Sequence, residues 1–554
     1  MKIQLRTEPK GPYTEYEVKR GTTIEELYKN LAGELPYKVL MARVENRYME
    51  LTYKLNKGCR VEFLDIRNRA ASLVYQNSIS LVFLKAFHEV VPGVKATIDN
   101  YLSQGLYIVV HRKGGITGQE VEAIRARMKE IIEADLPIRS EVLDRDVAIE
   151  RLKKRGMDVR LKLLESVPQL KHVPYYDLDG EKDFFYGLMT PSSGYVDKFR
   201  LKRYHGNILL RMPVPAHPGS VPKFDDEKRL YEAFVRQTEW EKVLGIDYVS
   251  ELNDRIRKGD YEELIHLDEA LHEKLIAGIA DMIKNQNKRI ILIAGPSSSG
   301  KTTFAKRLCT QLRVNGLKPT YMGTDDYFVN REDTPLDEFG EYNYEDLDAL
   351  DIELFNSNMN ALLDGEVVDM PVYDFIKGEK IFGTRMTQIS EDTPIVIEGI
   401  HALNDELTKF IPKRQKFKIY ISPLNQLNID RHNRVRSADG RLIRRMVRDY
   451  RTRGYSAKDT IDNWPKVRAG EDKNITPYAD SADVYFNSFH IYELCVLKKY
   501  VEPLLKEITP EDEQFAEADR ILHFVRFFRS IEDDSMISNY SILREFIGGS
   551  VIRK

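Results

Sequence analysis

Short apolar runs alternate with segments of helical spacing between residue 288 and about residue 490. Each run has four or five residues, the length of a strand that is buried on both faces of a sheet. Strands that alternate with helices predict a parallel, doubly wound sheet, and therefore an α/β domain over residues 286–490. The predicted strands are Ile290–Ala294, Pro319–Met322, Pro394–Ile397, Phe417–Ile421 and Asp483–Phe486.

The first 212 residues carry two other patterns. Residues 1–65 combine short strand-like runs with one amphipathic segment, which we expect to be a helix capped by Thr22 and ending at Leu31. This combination predicts a ubiquitin-like β-grasp domain. Residues 66–212 mix strands with helices, one of them clearly amphipathic over residues 118–134, and predict an α+β domain.

A proline-rich tract at residues 213–222 predicts a stiff linker and a domain boundary. Residues 213–285 are therefore expected to be a linker followed by helices. Asp268 and His272 have i, i+4 spacing there and are predicted to be a surface pair, the alternative being a metal site. Residues 491–554 are predicted to be a helical extension. That extension either completes the α/β domain or forms a homo-oligomer interface, and the sequence leaves both open.

The charge composition argues against a protein that coats nucleic acid. The 554 residues include 84 lysines and arginines against 87 aspartates and glutamates, a formal net charge of −3, which still permits a local basic patch. No apolar run reaches 18 residues, so no membrane-spanning helix is predicted. Three widely spaced cysteines suit a reducing compartment and predict a cytoplasmic protein.

The motif that carries the chemistry follows the first predicted strand of the α/β domain. It fits the phosphate-binding pattern GxxxxGK[ST], with a strand before it and a helix after it. Backbone N–H groups of such a loop close around the phosphates of ATP, Lys301 reaches the β- and γ-phosphates, and Thr302 ligates Mg²⁺. The predicted ATP-binding residues are Gly295, Pro296, Ser297, Ser298, Ser299, Gly300, Lys301, Thr302 and Thr303.

Acidic side chains follow two other predicted strands. Asp325 lies in Thr324–Phe328, after the second strand, where a carboxylate accepts a proton from a substrate hydroxyl or orders Mg²⁺. The alternative for this segment is a turn in which Asp caps a helix. Glu398 ends the third strand and is the predicted second carboxylate of the Mg²⁺ site.

A basic segment lies over residues 431–453, with nine arginines and two aspartates. Arg441, Arg444, Arg445 and Arg448 are spaced i, i+3, i+4 and i+7, so they share one face of a helix. Beside a phosphate-binding loop, such a face suits a lid that stabilises the charge of the transferring phosphoryl group. The alternative is a solvated or RNA-facing basic helix.

Together these segments resemble the uridine kinase/phosphoribulokinase family of P-loop kinases. The resemblance rests on the loop at 295–302, Thr324–Phe328, Pro371–Phe375, Ile397–Ile400 and the arginine-rich segment. It implies transfer of the ATP γ-phosphoryl group to the 5′-hydroxyl of a nucleoside, with Mg²⁺ as cofactor. It further implies that Asp325, Lys301, Arg445, Arg448 and Arg453 are catalytic, and that Asp325, Phe328, Glu345, Tyr373, Arg445 and Arg448 contact the substrate.

Three positions depart from that family's pattern. The Arg-Gly-Arg stretch of the family's lid falls at Arg453-Gly454-Tyr455, where tyrosine replaces the second arginine. The ribose-binding Asp of the family falls at Glu345, whose side chain is longer by one methylene. The base-contacting His falls near Gly378, where no histidine is present. The phosphoryl-transfer residues therefore match the family better than the base-recognition residues do.

The N-terminal half resembles two domains of threonyl-tRNA synthetases. Residues 1–65 resemble the TGS domain, and residues 66–212 resemble the editing-type domain. The HxxxH pair of that editing domain falls at Asn77 and Leu81, so the resemblance implies the fold without a metal site or editing chemistry.

Three functional hypotheses follow from these observations. The first is an ATP- and Mg²⁺-dependent nucleoside kinase. The second is an RNA-binding regulatory ATPase that holds RNA through residues 1–212. The third is a kinase with another sugar or sugar phosphate as its acceptor.

Overall fold

A five-stranded sheet and one α-helix form a β-grasp unit at the start of the chain. The computed structural model describes residues 1–336, 340, 342–425 and 427–552. The strands are ordered β2-β1-β5-β3-β4. Thr23, rather than the predicted Thr22, caps the helix, because Thr23 Oγ1 accepts from Glu26 N–H at 3.1 Å while Glu26 accepts from Thr23 N–H. The elements are β1 (Lys2–Arg6), β2 (Thr14–Glu17), α1 (Ile24–Leu31), β3 (Val39–Val44), β4 (Arg47–Met49) and β5 (Arg60–Asp65).

The following segment contains two antiparallel sheets packed around a long buried helix. One sheet has the order β10-β9-β8, and the other has the order β11-β12-β7-β6. The elements are α2 (Arg69–Val90), β6 (Ala96–Leu102), β7 (Gly105–Val110), α3 (Gly118–Glu133), β8 (Ile138–Asp144), α4 (Arg145–Arg155), α5 (Asp158–Ser166), β9 (His172–Leu178), β10 (Glu181–Phe184), β11 (Arg200–Tyr204) and β12 (Asn207–Arg211).

Three helices lead from this α+β unit to the α/β domain: α6 (Lys228–Leu244), α7 (Val249–Lys258) and α8 (Glu262–Asn285). The prediction of a surface pair on α8 is wrong, because the side chains of Asp268 and His272 are each only 2% exposed. His490 lies against both of them, with its Nδ1 2.5 Å from the Asp268 carboxylate and its ring stacked on His272. A partner more than 200 residues away therefore turns a surface-like spacing into a buried polar cluster.

Five parallel strands form the sheet of the α/β domain, in the order β14-β19-β13-β20-β21. The apolar central strand is fully buried, as its sequence predicted. This sheet confirms the predicted α/β fold class of the domain. The elements are β13 (Ile290–Ala294), α9 (Lys301–Val314), β14 (Thr320–Gly323), α10 (Ile352–Leu363), β15 (Val368–Asp369), β16 (Val372–Asp374), β17 (Glu379–Ile381), β18 (Met386–Thr387), β19 (Ile395–Glu398), β20 (Lys416–Ser422), α11 (Ser437–Arg453), α12 (Ala457–Asn474) and β21 (Val484–Asn487).

The C-terminal segment packs back onto the α/β domain with the helices α13 (Glu493–Lys506), α14 (Phe515–Val525) and α15 (Arg544–Ile547). The N-terminal half also packs tightly on this domain: Arg160 of α5 bonds Asp430 at 3.2 Å, and both side chains are buried. Within the described part of the chain, no helix combines the length and apolar character needed to cross a membrane.

Candidate active site

The phosphate-binding loop connects the buried strand β13 to the N-terminus of α9. Gly300 has φ +85°, and a Cβ atom there would lie 2.5 Å from Ile542 Cγ2. A Cβ at Gly295 would lie 2.0 Å from the carbonyl oxygen of Ile421. Close packing therefore requires glycine at both positions, and at Gly300 the left-handed backbone conformation favours glycine as well.

The polar groups of this loop fit a phosphate. The hydroxyls of Ser298 and Ser299 are buried and have no hydrogen-bond partner in the described part of the chain. Ser298 has a positive φ of 62°, and the loop leads directly into a helix N-terminus. Lys301 Nζ lies against the loop, 2.8 Å from the carbonyl oxygen of Gly295. Donors gathered at a helix N-terminus favour the anionic phosphates of ATP.

Hard oxygen donors suited to Mg²⁺ meet beside this loop. Thr302 Oγ1 donates to Glu398 Oε1 at 2.7 Å, and Tyr321 Oη donates to the same oxygen at 3.0 Å. Glu398 ends β19, which lies between β13 and β14, so parallel pairing brings its carboxylate to the loop. A threonine hydroxyl and a carboxylate are ligands that Mg²⁺ accepts in phosphate sites, and these two residues would hold the ion.

Asp325 lies in the turn that follows β14, at the same edge of the sheet. Its carboxylate keeps contact with solvent, but protein atoms crowd it on most sides and raise its pKa to about 6. The charge of Glu398 adds to this rise, and Lys301 opposes it. The neighbouring Asp326 instead forms an ion pair with Arg385 at 3.0 Å. Asp325 is therefore the carboxylate of this turn with the proton affinity of a general base.

The three predicted lid arginines share one carboxylate, that of Asp449, for which the sequence predicted no role. Asp449 is 1% exposed and lies 3.3 Å from Arg445, 2.8 Å from Arg448 and 3.5 Å from Arg453. Arg445 also donates to Ser297 Oγ of the loop at 2.7 Å. Arg448 Nη2 is buried and has no hydrogen-bond partner among the described residues. This donor and the loop-bound guanidinium fit a site for phosphate charge.

The other two arginines of the predicted cationic face do not belong to a lid, which corrects that expectation. Arg441 and Arg444 are buried, and each donates to a loop carbonyl, of Ser297 at 3.2 Å and of Ser298 at 3.3 Å respectively. Their charges are neutralised by the buried carboxylates of Glu471 and Glu493. They therefore brace the loop, because moving either guanidinium group away would leave a buried carboxylate without its partner, at a high cost in free energy.

Glu471 of α12 is a second group that local patterns did not reveal. Its carboxylate accepts from Ser297 N–H at 2.8 Å and pairs with Arg441. Burial alone would raise its pKa, but the arginines override that effect and lower it to about 2. The carboxylate of Glu471 is therefore ionised at neutral pH and holds the loop at Ser297. A second contact follows the loop, where Thr303 Oγ1 donates to the carboxylate of Glu545 in α15.

Aromatic rings form a wall beside Asp325. Phe328 packs edge-on against Tyr373 and Tyr344, with ring centroids 5.6 and 5.4 Å apart, and Phe375 extends the group. The carboxyl of Glu345, next to Tyr344 in the chain, lies close enough to interact with the charges of Lys301 and Arg445, and loss of water around it raises its pKa. The structure therefore brings the predicted acidic substrate residues Asp325 and Glu345 close to Lys301 of the loop, while Phe328 and Tyr373 belong to the aromatic wall.

Residues 290–494 match the family model described as the Phosphoribulokinase / Uridine kinase family. This segment is a phosphoribulokinase/uridine kinase family domain. The matched residues run from β13 to the start of α13 and include every predicted site residue of the kinase-family domain.

The N-terminal region matches a different class of protein, the threonyl-tRNA ligases. The ligase of Symbiobacterium thermophilum is 28% identical over 195 residues, which cover 35% of this chain and 30% of that protein. Threonyl-tRNA ligase 1 of Bacillus subtilis strain 168 is 26% identical over 195 residues, with the same shares covered. The chain thus spans about three tenths of the length of these curated relatives.

Solved structures are similar to parts of the chain at low identity. A possible uridine kinase from Bacillus stearothermophilus is 22% identical, with 36% of this chain and 88% of that chain covered and a TM-score of 0.25. The D-glycerate 3-kinase of Cryptococcus neoformans var. grubii is 12% identical, with 45% and 87% covered and a TM-score of 0.20.

Proposed function

We propose that the chain transfers the γ-phosphoryl group of ATP to the hydroxyl of a small molecule, with a nucleoside 5′-hydroxyl as the leading acceptor. One juxtaposition carries the proposal. The loop lysine Lys301, the Thr302–Glu398 pair and the free carboxylate of Asp325 meet at one edge of the sheet, beside the aromatic wall. A P-loop ATPase without an acceptor has no need of a base and a wall at that place.

The chemistry then follows from position and charge. Asp325 accepts the proton of the acceptor hydroxyl as its oxygen attacks the phosphorus. Lys301 and the loop N–H groups hold the phosphates, and Mg²⁺ supplies charge neutralisation when bound by Thr302 and Glu398. Arg445 already contacts the loop through Ser297, so its guanidinium stabilises charge on the transferring group without a large movement.

The acceptor is the finer part of the proposal. Phe375 is 59% exposed and Tyr344 is half-buried, so these two rings offer surface for a planar base or the face of a sugar. The buried rings of Tyr373 and Phe328 pack against them. Glu345 supplies a carboxylate that accepts from two adjacent hydroxyls. These residues support a ribonucleoside, such as uridine or cytidine, as the acceptor.

A second acceptor class is favoured by Arg331. Gly378 has φ +78°, and a Cβ there would lie 2.8 Å from Arg331 Cβ, so no larger side chain fits at this position. Arg331 itself donates to the carbonyl oxygen of Phe375 at 2.7 Å, on the aromatic wall. A guanidinium in place of a base-contacting imidazole favours a sugar or another acceptor that carries an anionic group.

Release of ADP, measured with Mg²⁺ and ATP against nucleosides, deoxynucleosides and sugar phosphates, tests the proposal. We expect turnover with one acceptor class, and its loss in Lys301→Ala and Asp325→Asn. Asp326→Asn is the matched control, because that neighbouring carboxylate is paired with Arg385 and should be dispensable. Silence across the whole panel, with folded protein, would contradict the proposal.

The threonyl-tRNA ligase match favours a second candidate function, an ATPase regulated by RNA bound to residues 1–212. This candidate predicts ATP hydrolysis without an acceptor, stimulated by tRNA and weakened steeply by salt. Hydrolysis measured with and without tRNA, at two salt concentrations, separates it from the kinase.

A further inference from the structure

A cavity of about 470 Å³ lies away from the phosphate-binding loop, where several parts of the chain meet. Its walls come from the β-grasp sheet, α2, the two antiparallel sheets with residues 186–188, the segment that precedes and begins α11, and α14. Cavities of this volume at the junction of domains are typical binding sites for small molecules. None of the catalytic residues proposed above lines it.

The charge on the walls points to an anion. Four arginines line the cavity against two aspartates, Asp439 and Asp519. Arg434 is the most informative of the four: its Nε donates to the carbonyl oxygen of Asp99 at 2.9 Å, while neither Nη atom has a hydrogen bond or ion pair within the described part of the chain. Burial lowers the pKa of Arg434 to about 10, so the group is still charged at neutral pH. A charged guanidinium with two unused nitrogens suits a carboxylate or a phosphate.

The rest of the lining describes the body of the ligand. Leu73, Val74 and Phe524 contribute apolar surface, and Tyr48 and Tyr186 contribute ring faces. The hydroxyls of both tyrosines lack hydrogen bonds to the described residues, and burial raises their pKa, so they remain donors. Such walls fit an apolar or aromatic molecule that carries an acidic group at one end.

The cavity is connected to the phosphate-binding loop through α11. In the first turn of that helix, Asp439 is held by Arg436 at 2.8 Å and by two bonds of 2.8 and 3.0 Å from Arg520 of α14. Six residues further along, a rise of about 9 Å, the same helix contacts the loop through Arg445. An anion that competes with Asp439 for these guanidinium groups therefore acts on the helix that braces the loop.

We propose that this cavity is an effector site for a small organic anion with an apolar or aromatic body, and that its occupancy changes ATP affinity through α11. The site does not depend on the acceptor of the kinase reaction. Binding and activity are therefore separate readouts, and failure of one leaves the other interpretable.

The test uses the fluorescent probe 8-anilinonaphthalene-1-sulfonate, an aromatic anion, with the full-length protein. We expect saturable one-to-one binding that weakens at least tenfold in Arg434→Met and in Ala70→Trp, which fills the cavity from its partly exposed wall. Arg431→Met, a matched change in the same loop but outside the cavity, should bind like the wild type. Thermal melting shows that each variant is folded. Binding that is not saturable, or that is equal in both cavity variants and the wild type, would overturn the proposal.

Two further arms define the ligand and the coupling. Phenyl phosphate and phenylacetate are compared as competitors, so displacement by either one supports the site and identifies the preferred acidic group, and displacement by neither refutes it. Affinity for a non-hydrolysable ATP analogue is then measured at saturating probe. We expect a change of about fivefold or more, with the reciprocal change in probe affinity. Unchanged ATP affinity at full occupancy would refute the effector role.

Discussion

The raised pKa of Asp325 predicts an acid limit on catalysis that an ordinary aspartate would not impose. Its carboxyl is protonated below about pH 6, against an ordinary value of 3.8. A general base must be ionised, so activity is full above that pH and is lost as the pH falls through it. Between pH 7 and pH 5 the ionised fraction drops about tenfold, and kcat/KM should fall with it.

The assay is kcat/KM for the acceptor between pH 4.5 and 8.5 at fixed Mg²⁺ and ATP, since this quantity reports the enzyme form to which the acceptor binds. Asp325→Asn should reduce the rate by about 10²- to 10⁴-fold, the usual range for loss of a general base. Asp326 contributes to the raised pKa of Asp325, so Asp326→Asn should keep its activity while the acid limit moves to lower pH. A wild-type limit near pH 4, or near-normal turnover in Asp325→Asn, would refute the assignment.

Three other changes test separate parts of the site. Glu398→Gln should raise the Mg²⁺ concentration needed for half-maximal activity, because it removes one charge of the predicted ion site; an unchanged Mg²⁺ dependence would exclude that role. Gly300→Ala should lower the free energy of unfolding, measured with urea, by about 1–3 kcal/mol more than Gly316→Ala does. Both glycines have φ near +85°, but only at Gly300 would a Cβ atom clash with a neighbour. Asp449→Asn leaves three arginines without their shared carboxylate and should cost about 3 kcal/mol of unfolding free energy, and an unshifted urea midpoint would contradict this.

Local patterns were sufficient for the parts of the kinase-family domain that are close in sequence. The strand β13, the loop and the start of α9 are specified within 25 residues, because an apolar run, glycines and a helix follow one another directly. Glu398 and Asp325 could be placed because parallel strands end at a common edge. The contact of Glu398 with Thr302 needed only the order of the strands.

Partners that are distant in sequence left no local signal. Glu471 and Glu493 neutralise Arg441 and Arg444 from other helices, so two of the four arginines on this face do not contribute net positive charge in the fold. Asp268 and His272 were predicted to be exposed for the same reason, since their partner His490 is distant in sequence. In each case the burial of a charged or polar group depends on a partner that is distant in sequence. That partner offsets the free-energy cost of removing the group from water.

The central claim is phosphoryl transfer to a small hydroxyl acceptor, and identification of the product tests it most directly. The protein is incubated with Mg²⁺, ATP and the acceptor that supports turnover, and the products are resolved by ³¹P NMR. We predict one phosphomonoester per ADP formed, and neither product with Lys301→Ala or Asp325→Asn. Conversion of ATP to ADP and inorganic phosphate alone, with no phosphorylated acceptor, would contradict the account.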